Sequence, residues 1–208
     1  MILQNQLSLT KGHADLALAC TEINEVYKHG NHITQMLSRS DLLQLAGYAA
    51  VEYCGGPSMI FRMGREDMVN EGDSHASTEE TSIVAVDTHR NSLIVSRLQS
   101  EQANLSPEEF VALMGIHTLG FEGENKKGPM TRWTQNPYVF DNTYYKELLA
   151  GQNSRYFSSE TDHRLVAQPE LRHWVEAYAQ DQDLFFVNYA KAHVKASEFG
   201  ADNLMSEF

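Results

Sequence analysis

Apolar residues recur at helical spacing along much of this chain, and residues 106–120 show the pattern best. Ser106 is a favourable N-cap, Pro107 suits the first helical position, and Glu109 follows three residues after the cap, so a capping box is predicted. Gly120 is a suitable stop. Four residues of this stretch fall on one helical face: Phe110, Leu113, Met114 and His117. The pattern therefore predicts a short amphipathic helix that carries His117 on its apolar face.

Further helices are predicted from the same periodicity. They cover 14–28, a stretch capped by Ser40 and ended by Gly55, a stretch capped by Asp141 or Asn142 and ended before Gly151, a stretch from Pro169 to about Ala179, and 183–198. The helix after Ser40 is so apolar that we expect it to be buried. Residues 64–82 are polar and predict a long surface loop. Strand signals are few, so the predicted fold class is all-α.

Composition narrows the class of protein. The chain has 208 residues, of which 42% are hydrophobic and 21% charged, and this is typical of one globular domain. The net charge of −12 argues against nucleic acid or an anionic membrane as the main partner. No apolar run approaches the roughly 20 residues that span a bilayer, so we expect a protein that is not integral to a membrane.

Cysteine content and the N-terminal residues bear on the compartment. Two cysteines, Cys20 and Cys54, do not make a disulfide framework, which predicts a reducing compartment. The first ten residues have no basic region ahead of an apolar one, so no secretory signal is expected there.

His117 is the residue whose role the pattern leaves open. A histidine on an apolar helix face is often a core residue with satisfied hydrogen bonds. It could also be an axial metal or haem ligand, and then its other ring nitrogen needs a carboxylate partner.

Longer stretches resemble a known family. Val111-Ala-Leu-Met-Gly-Ile-His-Thr-Leu-Gly120 is similar to the proximal-histidine motif of class I plant-type haem peroxidases, and within that class to the ascorbate peroxidases. The likeness extends, in family order, to 41–52, 128–149 and 183–200. The resemblance implies the helical haem-peroxidase fold in a single domain over 1–208. Residues 1–63 would then be a remnant of the distal-side lobe, 64–82 a surface loop and 83–208 the proximal lobe.

The resemblance also implies a site. His117 would be the axial ligand of haem b, with Trp133 against it and Asp162 behind both. Asp162 would accept hydrogen bonds from the imidazole Nδ1–H and from the indole N–H, which strengthens the histidine as an iron ligand. Without haem, the same three residues could form a buried polar network whose members satisfy one another.

A monovalent cation site, usually for potassium, is a second feature that the resemblance implies. The matching side chains are those of Thr118, Thr134, Asn136 and Asp141, together with a backbone carbonyl near Val139. Their oxygen atoms suit a hard cation. The alternative is that 134–137 form a turn and that Asp141 is an N-cap.

Several positions depart from the family pattern. No Arg-x-x-x-His, the distal acid–base pair of a peroxidase, occurs in residues 1–30, and the first arginine is Arg39. Met114 and Gly123 stand where the family contacts a haem propionate, and Lys126 stands where an arginine binds ascorbate. No residue of this chain is therefore assigned as catalytic.

These departures give two functional hypotheses. The first is a degenerate, catalytically inactive relative of ascorbate peroxidase. It would act as an accessory subunit of a larger complex, such as a mitochondrial respiratory one, or of a peroxidase-like heterodimer. A protein partner would cover the vacated distal face, and we expect an organelle, mitochondrion or chloroplast, rather than the cytoplasm. The alternative is a haem peroxidase that reduces hydrogen peroxide with ascorbate or another small donor.

Overall fold

The structure, a computed structural model, describes residues 14–30, 36–67, 105–121, 132–156, 158–202 and 204–206. Its helices and strands, in chain order, are α1 (Ala14–His29), α2 (Arg39–Tyr53), β1 (Arg62–Met63), α3 (Pro107–Met114), α4 (Thr143–Ala150), α5 (Glu160–Ala167), α6 (Pro169–Gln180), α7 (Gln182–Glu198) and β2 (Met205–Ser206). Two short 3₁₀ turns, Gly115–Thr118 and Gly151–Asn153, follow α3 and α4. The all-α prediction is confirmed, since β1 and β2 are two residues each.

Contacts divide the chain into two compact units. The first comprises Met1–Ala49, Ile60–Val86 and Glu198–Phe208, and the second comprises Ala50–Met59 and Asp87–Ser197. Most of the predicted loop at 64–82 lies outside the described residues, so the expected lobe boundaries stay a prediction. Within the ranges that the structure describes, no helix combines the length and the apolar character needed to cross a bilayer.

The first unit contains the start of α2, where the predicted cap was wrong. Ser38, not Ser40, is the cap, because its hydroxyl accepts the Asp41 N–H at 2.9 Å. Asp67 accepts the N–H groups of Arg39 at 3.0 Å and Ser40 at 2.9 Å, and also the Ser40 hydroxyl at 3.0 Å. The first turn of α2 therefore has its backbone donors satisfied by two side chains, one of them distant in sequence.

A buried ion pair anchors the strand segment of the same unit to α2. Arg65 Nη1 donates to Asp41 Oδ1 at 2.8 Å, and the Gly64 N–H donates to the other carboxylate oxygen at 2.8 Å. β1 pairs antiparallel with β2, with Arg62 opposite Ser206 and Met63 opposite Met205. These bonds hold residues 62–65, which follow α2, against the first turn of that helix and against β2.

The expectation that α2 is buried holds for one side of the helix only. Leu42, Tyr48 and Val51 are buried, but Ala49 and Ala50 are exposed, so the helix buries one side. The helix ends at the predicted glycines: Gly55, at φ 93°, donates to Glu52 O, and Gly56 donates to Val51 O. This is a Schellman end, which needs a residue that tolerates positive φ.

The second unit holds an aromatic core. α6 packs against α3, α4 and α5, so it lies at the centre of this unit. The largest fully buried rings are those of Phe110, Phe140, Tyr144, Tyr145, Tyr178, Phe185 and Tyr189. Rings of this size dominate the apolar area that a core removes from water.

α3 begins as predicted and ends earlier than predicted. Ser106 Oγ accepts the Glu109 N–H at 3.2 Å and Glu109 Oε2 accepts the Ser106 N–H at 2.9 Å, which confirms the capping box. The α-helix stops at Met114, however, and His117 lies in the following 3₁₀ turn. Gly120, at φ 82°, ends that turn.

A buried tyrosine explains why α3 tightens there. The Tyr145 hydroxyl donates to Val111 O at 2.9 Å and lies 3.2 Å from Ala112 O. The Gly115 N–H bonds to Ala112 O, three residues earlier, which is the 3₁₀ pattern. The same hydroxyl and the Phe185 ring occupy the space where a side chain at Gly115 would be.

Candidate functional site

Three side chains that the sequence analysis grouped together meet in the second unit. His117 Nδ1 lies 3.2 Å from Asp162 Oδ1, and Trp133 Nε1 donates to Asp162 Oδ2 at 3.1 Å. The imidazole and indole rings are stacked, with centroids 4.5 Å apart and planes 11° apart. Asp162 and Trp133 are buried, and 16% of the His117 side chain is exposed.

Asp162 is held by the start of α5. Ser159 is the N-cap of this helix and Asp162 is its third residue, and the two form a capping box. Asp162 Oδ2 accepts the Ser159 N–H at 2.6 Å and the Ser159 hydroxyl at 2.8 Å. The helix terminus therefore positions the carboxylate as well as satisfying its own backbone.

Tyr144 is a fourth member of the site, and the sequence analysis missed it. Its hydroxyl donates to Asp162 Oδ1 at 2.5 Å, and its ring meets the His117 ring edge-on at 5.4 Å. Ser159 was missed as well, although the Ser-x-x-Asp spacing at 159–162 is a recognisable cap signal. No local signal marks Tyr144, because its partner lies 18 residues away.

Hydrogen bonds keep Asp162 ionised. Burial by itself raises the pKa of this carboxyl group, but the hydrogen bond and charge of His117, with Tyr144 and Ser159, hold the pKa below its usual range. Burial, together with the Asp162 charge, raises the pKa of Tyr144 well above its ordinary value, so the phenol stays protonated. Asp162 is therefore an acceptor for every group around it.

This arrangement leaves one nitrogen of His117 available. A carboxylate can accept only from a protonated Nδ1, so the neutral ring presents its lone pair at Nε2. The described contacts of His117 are those with Asp162, Trp133 and Tyr144. The partly exposed ring can therefore donate the Nε2 lone pair to a metal ion.

Three of the residues expected to bind a cation lie together. Thr118 Oγ1 donates to Asp141 Oδ1 at 3.0 Å and lies 3.5 Å from Val139 O. Thr134 Oγ1 donates to Thr118 O at 3.0 Å. Asp141 Oδ1 also accepts the Thr143 N–H at 2.8 Å, so Asp141 stabilises the start of α4, but the N-cap residue of this helix is Asn142 and not Asp141.

The fourth expected ligand is differently placed. Asn136 is exposed, and its Oδ1 accepts the Tyr138 N–H at 3.2 Å, which closes a turn. The side chains of all four expected cation ligands are therefore hydrogen-bonded to one another or to the backbone. Among the described residues, no cluster of three or more His, Cys, Asp or Glu side chains could hold a metal ion.

The positions that depart from the family pattern are only partly described. Met114 packs partly buried against the core at the end of α3, and the Arg39 guanidinium lies 4.9 Å from the centre of the Tyr27 ring in the first unit. Gly123 and Lys126 lie outside the described residues.

A cavity of about 330 Å³ adjoins the site, and Trp133 and Tyr144 are part of its wall. Three titratable residues also line the cavity: Glu147, His163 and Arg172. Their side chains are hydrogen-bonded to Ser154, Ser158 and Glu176, respectively. The cavity therefore lies on the side of α4 and α5, next to the carboxylate network.

Comparison with known proteins decides the family. A sequence model of the family described as peroxidase matches residues 11–181. The chain belongs to the peroxidase family. This membership agrees with the all-α fold and with the resemblance seen in the His117 motif.

Ascorbate peroxidases are among the similar members of this peroxidase family. Cytosolic L-ascorbate peroxidase 2 of Oryza sativa subsp. japonica is 39% identical over 165 residues, which cover 79% of this chain and 62% of the relative. L-ascorbate peroxidase 3 of Arabidopsis thaliana is 39% identical over 164 residues, covering 79% of this chain and 54% of the relative. The chain thus spans about 54–62% of these curated relatives.

The residues present fit an axial haem ligand. His117 has its Nδ1 proton committed to a buried carboxylate, and its Nε2 faces away from that bond with part of the side chain exposed. A histidine ligand in proteins commonly donates its second N–H to such a carboxylate. The donor set of this peroxidase-family chain is therefore suited to iron on the His117 side.

Proposed function

We propose that this chain binds haem through His117 Nε2 and forms the proximal side of an ascorbate-peroxidase-like site for hydrogen peroxide reduction. The observation that carries the proposal is the hydrogen bond between His117 Nδ1 and the buried Asp162 carboxylate, 3.2 Å long. This bond selects the tautomer that can bind iron and orients the ring.

Each residue of the site has a distinct part in this proposal. Bound haem would supply the redox chemistry with peroxide. His117 would bind the iron, and Asp162 would hold the proton at Nδ1 throughout. Trp133 stacks on the imidazole and covers one of its faces, which excludes water from the His117–Asp162 bond. Ascorbate is proposed as the electron donor because the similar relatives are named ascorbate peroxidases.

A second candidate is a non-catalytic accessory subunit, in an organellar complex or a peroxidase-like heterodimer. It is favoured by the residues at the departing positions: Met114 packs against the core, and a thioether gives a propionate no hydrogen-bond donor. A partner chain would cover the distal side in this case.

Haem content tests the first proposal. We expect the protein purified from its native source to show a Soret band and about one haem per chain in a pyridine-haemochrome assay. His117→Ala should abolish that band, whereas His173→Ala, at an exposed position on α6, should retain it. Haem-free protein with a folded far-UV spectrum would contradict the proposal and support the accessory role.

Turnover then separates the two haem-containing outcomes. Peroxide-dependent oxidation of ascorbate that is lost with His117→Ala would support a working peroxidase. Bound haem without turnover would point to a haem-binding subunit that lacks an acid–base pair, since general acid–base catalysis contributes about 10²–10⁴-fold.

Binding of a monovalent cation at Thr118, Thr134 and Asp141 is a separate proposal. It is supported by the convergence of hydroxyl, carboxylate and carbonyl oxygens around Thr118. We expect potassium, but not choline, to raise the melting temperature, and Thr118→Val to remove the difference. Equal melting temperatures of the wild-type protein in both salts would mean that the group is a hydrogen-bonded turn alone.

A further inference from the structure

We propose that Tyr144 is a positioning residue that shares the Asp162 carboxylate with His117 and limits how strongly the carboxylate pulls on the imidazole proton. The proposal deepens the suggested role of His117 as a ligand, and its first test needs no haem.

The two donors converge on one oxygen atom. Asp162 Oδ1 accepts from Tyr144 Oη at 2.5 Å and from His117 Nδ1 at 3.2 Å. The phenol bond is at the short end of the range for an O–H donor to ionised oxygen, whereas the imidazole bond is at the long end of the range for an N–H donor. Tyr144 is therefore the dominant donor to the oxygen that His117 uses.

Tyr144 cannot easily turn away from this oxygen. The residue is 1% exposed, and it lies in the first turn of α4. Asn142 lies two residues before Tyr144. Its side-chain amide connects this turn to α6 by donating to Tyr178 O at 2.9 Å and to Ala179 O at 3.1 Å. A buried phenol without an acceptor would be costly, so the protein keeps the Tyr144–Asp162 bond.

The second oxygen of Asp162 is also occupied. It accepts from the Ser159 N–H, the Ser159 hydroxyl and the Trp133 indole at 2.6, 2.8 and 3.1 Å. Each donor disperses part of the carboxylate charge, so less charge acts on the Nδ1 proton of His117. The proton therefore stays on the ring, and His117 donates less electron density through Nε2 than a histidine paired with an unshared carboxylate would.

The neighbouring tyrosine provides a matched control. Tyr145 is also fully buried on α4, but its hydroxyl donates to backbone carbonyls of α3, among them Val111 O at 2.9 Å. Tyr144→Phe and Tyr145→Phe therefore remove the same chemical group from adjacent positions, and only the first removes a donor from Asp162.

NMR of the haem-free chain with labelled histidine tests the proposal directly. In Tyr144→Phe we expect the Nδ1–H proton of His117 to move downfield, since the released carboxylate oxygen forms a stronger bond with it. Tyr145→Phe removes a donor from the carbonyls before the His117 turn but none from Asp162, so it shows how far a change in that turn alone moves the resonance, and we expect a smaller shift there than in Tyr144→Phe. An unchanged His117 resonance in a folded Tyr144→Phe variant would overturn the proposal.

A second substitution should shift the His117 proton in the opposite direction. It also keeps the proposal testable if Tyr144→Phe does not fold. Placing 3-fluorotyrosine at position 144 makes the phenol a stronger donor with almost the same shape. The His117 proton should then move upfield, and a downfield shift or no shift would contradict the sharing of Oδ1.

Haem-loaded protein gives a readout that depends on the proposed function. With Tyr144→Phe, the iron–histidine stretching frequency should rise and the midpoint potential of the iron should fall, both relative to Tyr145→Phe. If the chain binds no haem, this measurement fails with the proposed function, while the NMR result still decides the role of Tyr144. If haem binds and the two variants give equal frequencies, the positioning role is wrong.

Discussion

His117 and Trp133 lie parallel because one carboxylate holds both rings. Their centroids are 4.5 Å apart and their planes differ by 11°. Each ring donates one N–H to a different oxygen of Asp162, at 3.2 and 3.1 Å. Two donors on the two oxygens of a planar group are brought side by side, so the stack follows from the hydrogen bonds. The orientation of His117 therefore depends on Trp133 as well as on Asp162.

The first prediction concerns this indole N–H. Trp133→Phe keeps an aromatic ring against His117 but removes a donor to a buried charge. Hydrogen bonds to charged groups contribute about 1.5–3 kcal/mol, so we expect the free energy of unfolding to fall by about 2–3 kcal/mol once packing is included. Urea denaturation measures the change.

Trp174→Phe is the control for this substitution. Trp174 is partly buried on α6, and its described contacts are with the rings of His173 and Tyr178. It should cost about 1 kcal/mol or less, because it loses packing alone. Equal losses in the two variants would mean that the Trp133–Asp162 bond contributes little.

The sequence predicted the members of this site better than their surroundings. The Ser106 capping box depends on residues three positions apart, so it could be predicted and is confirmed. The grouping of His117, Trp133 and Asp162 came from the family resemblance, since 29 residues separate Trp133 from Asp162. Their roles toward haem stay a prediction.

Long-range packing accounts for what the sequence missed. The 3₁₀ turn that carries His117 follows from Tyr145 and Phe185, which lie far along the chain and occupy the space beside Gly115. The true cap of α2 was missed because Ser38 and Ser40 are both acceptable caps locally. Asp67, 27 residues after Ser40, occupies the other donors of that turn.

The second prediction concerns Gly115. A Cβ atom there would lie 2.5 Å from Phe185 Cε2 and would also meet the Tyr145 hydroxyl, so Gly115→Ala forces a core ring to move. We expect a loss of about 1–3 kcal/mol in the free energy of unfolding, as for other overpacked cores. The shift should also appear as a changed His117 resonance, because His117 lies two residues later in the same turn.

Gly47→Ala is the matched control for this change. Gly47 lies inside α2, and a Cβ atom there would meet no atom within 4 Å. Alanine should therefore stabilise the helix by about 0.5–1 kcal/mol. A Gly115→Ala variant as stable as Gly47→Ala would contradict the close packing around the His117 turn.

The third prediction compares two capping boxes. Ser106→Ala removes an exposed cap of α3 and should cost about 1 kcal/mol. Ser159→Ala removes a buried cap of α5 and also a hydroxyl that donates to Asp162 at 2.8 Å. It should therefore cost about 2–3 kcal/mol, since the donor to the buried carboxylate is lost in addition. Urea denaturation of the two variants measures both; similar losses would show that the Ser159 hydroxyl acts only as a cap.

The fourth prediction concerns the dependence of stability on pH. His193 on α7 is bonded through Nδ1 to the Tyr189 hydroxyl at 3.0 Å, and burial lowers its pKa from 6.5 to about 4. Between these two values the unfolded chain binds a proton at this position and the folded chain does not. The contribution of His193 to stability is therefore complete above about pH 6.5 and is lost as the pH falls toward 4.

A variant isolates this contribution from the other titrating groups. Wild-type protein should lose about 2 kcal/mol more than His193→Gln when the pH is lowered from 7 to 5, because one pKa unit corresponds to about 1.36 kcal/mol. Urea denaturation at both pH values gives the difference, and His173→Gln, at an exposed position, should behave like the wild type. A His193→Gln variant that loses as much stability as the wild type over this interval would mean that His193 takes up its proton equally in both states. Burial beside Tyr189 would then have no effect on its charge.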